Sequence, residues 1–121
     1  MATKKPKIVV LGSYNQDLIM YTPEIPRLKE TVKQGQLQMF PGGKGANQAH
    51  AAALAGGEVT LIAKVGKDAF GNAAIDHFKK VGIKTDFVFQ DPTVSTGCAM
   101  IMVEKESGQN MIVVASGANE K

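Results

Sequence analysis

The stretch that most limits what this chain can fold into runs from Phe40 to Ala55. Pro41-Gly42-Gly43 breaks an alternating polar and apolar segment, Lys44-Gly45 follows, and Ala46 to Ala55 is rich in alanine. Proline removes a backbone donor. Paired glycines open positive φ and let another backbone or a ligand come close. Alanine is the strongest helix former, so the spacing predicts a helix over 46–55, stopped by Gly56-Gly57. A strand must therefore turn sharply into a helix whose first N–H groups are bare, which suits either a bound ligand or a tight turn. Two phosphate motifs fail here. The P-loop needs Ser or Thr after its lysine, and Gly45 stands there. The dinucleotide fingerprint needs glycine or alanine where Gln48 stands.

Around this turn the chain alternates strands and helices. Lys7 to Leu11 is a short β-branched run ending at Gly12, and Val59 to Val65 is another, closed by Gly66. Ser13 to Asp17 is polar and is expected at or just past the C-terminal end of the first strand. Thr22 to Pro26 holds two prolines and predicts a loop. Thr31 to Phe40 alternates imperfectly, as in an antiparallel strand with one wet face. Asp68 to Val81 carries the stripe Phe70, Ala74, Phe78 and Val81, with Ile75 beside it, and predicts a helix capped by Asp68 and stopped at Gly82. Three further strands are expected at Asp86–Phe89, Gly97–Glu104 and Met111–Ala115, the last two joined by a turn at Ser107-Gly108-Gln109-Asn110. Strand–helix–strand order argues for a parallel sheet with covering helices, and the half-polar 31–40 segment for a second, smaller sheet.

Composition narrows the function classes. Net charge is +3, with Lys4, Lys5 and Lys7 grouped near the start and a single arginine. No basic stripe with interleaved aromatics appears, so nucleic-acid binding is not expected. No run is long enough to span a bilayer, and the first residues lack the apolar stretch of a secretory signal, so a soluble cytoplasmic protein is expected, with the nucleus open. The single Cys98 excludes an internal disulfide and is expected buried in a strand. His50 and His77 lie far apart in sequence in no metal-ligand spacing, and are expected as surface or helix-packing histidines.

The run Gly42-Gly43-Lys44-Gly45-Ala46-Asn47-Gln48-Ala49, with Gly56 and Gly66 beyond it, resembles the first signature of the ribokinase-like family, also called the phosphofructokinase-B-type carbohydrate kinases. The likeness extends over Gly12-Ser13-Tyr14-Asn15-Gln16-Asp17, Val65 to Gly71, Ser95-Thr96-Gly97 and Gly117-Ala118-Asn119. It implies the N-terminal part of a three-layer α/β/α domain with a small β lid, lid strands falling near 31–40 and 95–105. It implies sugar contacts at Asn15 and Asp17, whose carboxylate and amide suit adjacent hydroxyls. Gly42, Gly43, Lys44 and Asn47 would form the other wall, and Ala99 and Ile101 would cover the sugar's apolar side. Without the resemblance, Asn15 and Asp17 read as a polar turn, Lys44 as a solvated lysine, and Ala99 and Ile101 as strand core. For the whole protein the resemblance implies ATP-dependent phosphorylation of ribose at its 5-hydroxyl, with Mg2+ and K+, in a homodimer paired through lid strands. Family members are more than twice this long and carry their catalytic base, ATP pocket and cation site in a C-terminal half. That half is expected to be absent here, leaving a chain inactive alone with no cofactor of its own. Fructokinase, adenosine kinase or another nucleoside kinase, a non-catalytic sugar-binding or dimerisation module, and a plain α/β domain without a sugar site are the alternatives.

Overall fold

A computed structural model describes residues 4–121; Met1–Thr3, part of the stretch read as lacking a signal, lie outside the described residues. The chain forms β1 (Lys7–Leu11), β2 (Asn15–Thr22), β3 (Gln36–Gly42), α1 (Lys44–Leu54), β4 (Glu58–Gly66), α2 (Ala69–Lys80), β5 (Lys84–Asp91), β6 (Cys98–Glu104), β7 (Asn110–Ala115) and a 3-10 turn at Gly117–Glu120. Two sheets result. One is parallel, in the order β1-β4-β5; the other is mixed, in the order β3-β2-β6-β7.

In the parallel sheet both crossovers step in the same direction, β1 through α1 to β4 and β4 through α2 to β5. Such crossovers are right-handed, so both helices fall on one face. Side chains alternate accordingly. Val59, Leu61 and Val65 of β4 are fully buried and pack with Val10, Val88, Ala49, Ala74 and Phe78. The opposite face is bare: Val9 and Leu11 are 66% and 78% exposed, and Phe87 and Phe89 51% and 54%. The α/β class and the lid are as expected, but a second helical layer is not formed by the described residues.

Helix α2 shows why its sequence folds locally. Asp68 caps it by accepting from the Gly71 N–H at 2.8 Å, and Lys79 and Lys80 occupy the last turn, where cations suit the helix dipole. The apolar stripe is narrower than the spacing predicts: Ala74 and Phe78 are buried, whereas Phe70 keeps partial exposure. Gly82 ends the helix at φ 86°.

Several expectations are corrected. Asn15 and Asp17 lie just past the first strand as expected, but they open an unexpected one, β2, an eight-residue strand lying between β3 and β6. The predicted strand over 31–40 starts only at Gln36 and continues through Pro41 to Gly42. A proline is tolerated there because β3 is an edge strand. The strand expected at 111–115 is present as β7, paired antiparallel with β6 through the expected turn, where Gly108 has φ 71°. Helix α1 begins at Lys44, two residues before its alanine run. Cys98 lies in strand β6 but is only partly buried.

Candidate functional site

The turn between β1 and β2 meets the start of α1 backbone against backbone. A Cβ on Gly12 would lie 2.6 Å from the Gly45 Cα, and one on Gly43 would lie 2.6 Å from the Ser13 carbonyl and 2.8 Å from the Tyr14 Cα. Gly43 also sits at φ 94°, which L side chains rarely adopt. The Ala46 N–H donates to the Ser13 carbonyl at 3.0 Å, satisfying one bare donor of the helix start. The glycine-rich run thus has a packing reason as well as any ligand reason.

That docking brings most of the sequence-selected residues to one rim of the lid. Cross-strand partners share a face, so register places Asn15 beside Gly42, Asp17 beside Phe40 and Ala99, and Ile19 beside Ile101. A Cβ on Gly42 would overlap the Asp17 carboxylate, 2.6 Å from Oδ1, so only glycine leaves that carboxylate its place. Lys44 and Asn47 follow in the first turns of α1 and are both exposed. Ala99 is buried and Ile101 half-buried.

Two polar fixtures hold the rim. Asn119 accepts from the Tyr14 N–H through Oδ1, and its Nδ2 donates to the Tyr14 carbonyl, the Ser116 carbonyl and Asn15 Oδ1, each at 2.9 Å. Asn15 therefore spends its oxygen inward and keeps its NH2 as the group left to donate. Gln16, on the other face, accepts from the Tyr14 hydroxyl and donates to the Phe40 carbonyl, both at 3.2 Å, tying β2 to β3. Sequence reasoning gave neither Asn119 nor Gln16 a role. Asn119 stood in the quoted Gly117-Ala118-Asn119 run, yet nothing local shows that a residue just past β7 reaches back to β2.

Burial pushes the Asp17 carboxyl above its ordinary value. Its charge acts on the neighbours in turn. Tyr14 is pushed up to about 12, by burial first and by Asp17 second, and the Cys98 thiol is raised for the same two reasons. A partly desolvated carboxylate next to an amide donor and a glycine gap is chemically suited to accept hydrogen bonds from neutral hydroxyl groups, which restore the solvation it has lost. Asp68 has a different task. Its burial is outweighed by bonds from the Thr96 hydroxyl, the Thr96 N–H and the Gly71 N–H, which lower its pKa and fasten α2 to the segment before β6.

A sheet-and-lid fold with a glycine-rich strand-to-helix turn at its rim matches known proteins. Residues 5–121 match the pfkB family of carbohydrate kinases, and the chain belongs to that family. Within it, ribokinases are well represented among the relatives. Mouse ribokinase is 42% identical over 112 residues, covering 93% of this chain and 34% of the relative. Deoxyribokinase of Salmonella typhi is 41% identical over 113 residues, covering 93% and 37%. Among solved structures, Arabidopsis thaliana ribokinase complexed with ribose and ATP superposes with a TM-score of 0.87 at 32% identity, covering 96% of this chain and 38% of that one. The chain thus spans little more than a third of the length of the relatives it matches.

Proposed function

We propose that the protein phosphorylates D-ribose at its 5-hydroxyl with ATP, and that this chain supplies the sugar-binding wall and lid. One juxtaposition carries the reading: the Asp17 carboxylate over Gly42 with the Asn15 amide beside it, on the lid face shared with Ala99 and Ile101. Asp17 accepts from adjacent sugar hydroxyls, and the free NH2 of Asn15 donates to a ring or hydroxyl oxygen. Gly42 and Gly43 leave room for the ring. Asn47 and Lys44 reach the sugar from the start of α1, while Ala99 and Ile101 cover its C–H face.

Phosphoryl transfer rests on positioning and on stabilising charge at the phosphate. The lysine of the glycine-rich run lacks the following Ser or Thr that a P-loop uses, so we assign ATP no residue of this chain. We place the catalytic base, the ATP pocket and the Mg2+ and K+ sites in the part of the relatives' length that this chain does not span. No group of three or more His, Cys, Asp or Glu among the described residues could hold a metal ion. The lid face opposite the sugar carries exposed Leu37, Met39, Met100 and Val113, while Phe40 turns the other way. We assign that apolar face to a second copy.

The likeness to deoxyribokinase makes 2-deoxyribose the second reading. A phosphorylation panel on the complete protein, with ribose, 2-deoxyribose, fructose and adenosine, tests both. Ribose turnover with the highest kcat/KM is expected. Higher kcat/KM on deoxyribose moves the assignment, and no turnover on any of the four sinks it.

A further inference from the structure

The two histidines, 27 positions apart in sequence, meet in space. His50 lies on α1, one turn beyond Asn47, and His77 lies in the last turn of α2. Their ring centroids are 5.5 Å apart with the rings at 86°. Both line one small cavity of about 170 Å³, whose other walls include Phe40, Pro41, Asn47 and Phe78. The His77 ring also packs against Phe78, centroids 6.0 Å apart, and Phe78 stands edge-on to Tyr14 at 5.4 Å.

We propose that His50 and His77 form a two-imidazole site for a borderline divalent transition-metal ion of the Zn2+ type, bridging α1 and α2. Imidazole nitrogen binds such ions at about 2.0–2.1 Å, which puts each ring centroid about 3.2 Å from the metal. Two centroids so placed and 5.5 Å apart subtend an angle of roughly 120° at the ion, close to the tetrahedral preference of zinc. The ligands come from two helices already packed on one sheet, so little chain entropy opposes closure. No third His, Cys, Asp or Glu joins them in a cluster among the described residues, so water fills the remaining positions and the ion stays exchangeable. The cavity shares Asn47 with the proposed sugar pocket, but the histidine pair needs no sugar or ATP to be tested.

The test uses the full chain, free of any affinity tag, with Cys98→Ser to remove the thiol as a competing ligand. Titration with Zn2+ should give one ion per chain, and Zn2+ should raise the melting temperature, because a ligand that binds only the native state stabilises it. His50→Gln and His77→Gln should each weaken binding by about tenfold or more and abolish the Zn2+-dependent rise. Should either variant fail to fold, Cu2+ bound to the unsubstituted histidines reports directly: superhyperfine splitting from two imidazole nitrogens is expected. Splitting from one nitrogen or none, a Zn2+ affinity unchanged in both variants, or no Zn2+-dependent stabilisation of the parent would overturn the proposal.

Discussion

The side-chain NH2 of Asn119 donates to the Oδ1 of Asn15 at 2.9 Å, joining the end of the lid to the start of β2 across 104 residues of chain. The same side chain pairs the Tyr14 N–H and carbonyl, so it acts as an inserted piece of backbone that fixes where β2 begins. Asn119→Ala leaves these groups unpaired, and unpaired buried polar groups cost about 1–3 kcal/mol each. We expect a loss of about 2–4 kcal/mol in urea unfolding and, because Asn15 is freed to rotate, ribose binding weaker by about tenfold. Unchanged ribose affinity in a folded variant would separate Asn119 from the site.

The glycines are predicted to differ in kind. Gly56 has φ 98° with nothing within 4 Å of a Cβ, so Gly56→Ala costs only the backbone penalty, about 1–2 kcal/mol. A Cβ on Gly45 would press on the Gly12 backbone at 2.5 Å from its Cα and 2.7 Å from its carbonyl carbon. Backbone cannot swing aside, so Gly45→Ala should cost clearly more, about 3 kcal/mol or above, and should weaken ribose binding as α1 is pushed off the β1–β2 turn. Equal unfolding free energies for the two variants would show that the close approach is not tight in solution.

What the sequence made legible follows the range of the forces involved. The α2 cap, the Gly82 stop and the turn at Gly108 are set by neighbours a few residues away, and they lie where periodicity and turn chemistry place them. The selected residues Asn15, Asp17, Gly42 and Gly43 were found through a joint motif, and the fold brings them to one rim. Strand β2 was missed because its polar opening, Asn15-Gln16-Asp17, masks the apolar Leu18-Ile19-Met20, and its pairing with β6 spans some eighty residues. His50 and His77 shared no sequence spacing, since only the packing of α1 beside α2 on one sheet face joins them. The bare face bearing Val9, Leu11, Phe87 and Phe89 was equally hidden, because an apolar strand reads the same whether one face or both are covered.

Acid stability should be governed by Asp91 and Asp68. Bonds from the Thr93 and Val94 N–H groups, with Lys64 at 3.3 Å, hold the Asp91 pKa down to about 2. Asp68 is lowered by its bonds from Thr96 and Gly71 despite burial. A carboxylate whose folded pKa is depressed contributes stability that is present above its unfolded value, 3.8, and is lost as pH falls through the folded one. The contribution of these two carboxylates should therefore be flat from neutral pH to about 5 and fall between about pH 4 and 2. Asp91→Asn should lower the neutral plateau and flatten that descent; an unaltered slope would assign the acid limb elsewhere.

Asp17 should behave in the opposite sense. Its folded pKa is raised by burial, so its contribution favours the fold below the unfolded value, 3.8, and is lost as pH rises through the folded one. At neutral pH the ionised carboxylate is then a cost to the fold that the bound sugar offsets by donating hydroxyl hydrogens. Asp17→Asn keeps the shape and removes the charge, so it should leave stability at pH 7 unchanged or slightly higher while weakening ribose binding. Hydrogen bonds to a charged group are worth about 1.5–3 kcal/mol, so the loss should be about tenfold to a hundredfold for each one broken. Ribose affinity of the parent should also fall as pH drops through the raised Asp17 value, and the variant should lack that dependence. Calorimetric titration from pH 4 to 8, paired with melts of both proteins, reads the two effects apart. A variant that loses stability at pH 7 and keeps its ribose affinity would mark Asp17 as a structural carboxylate.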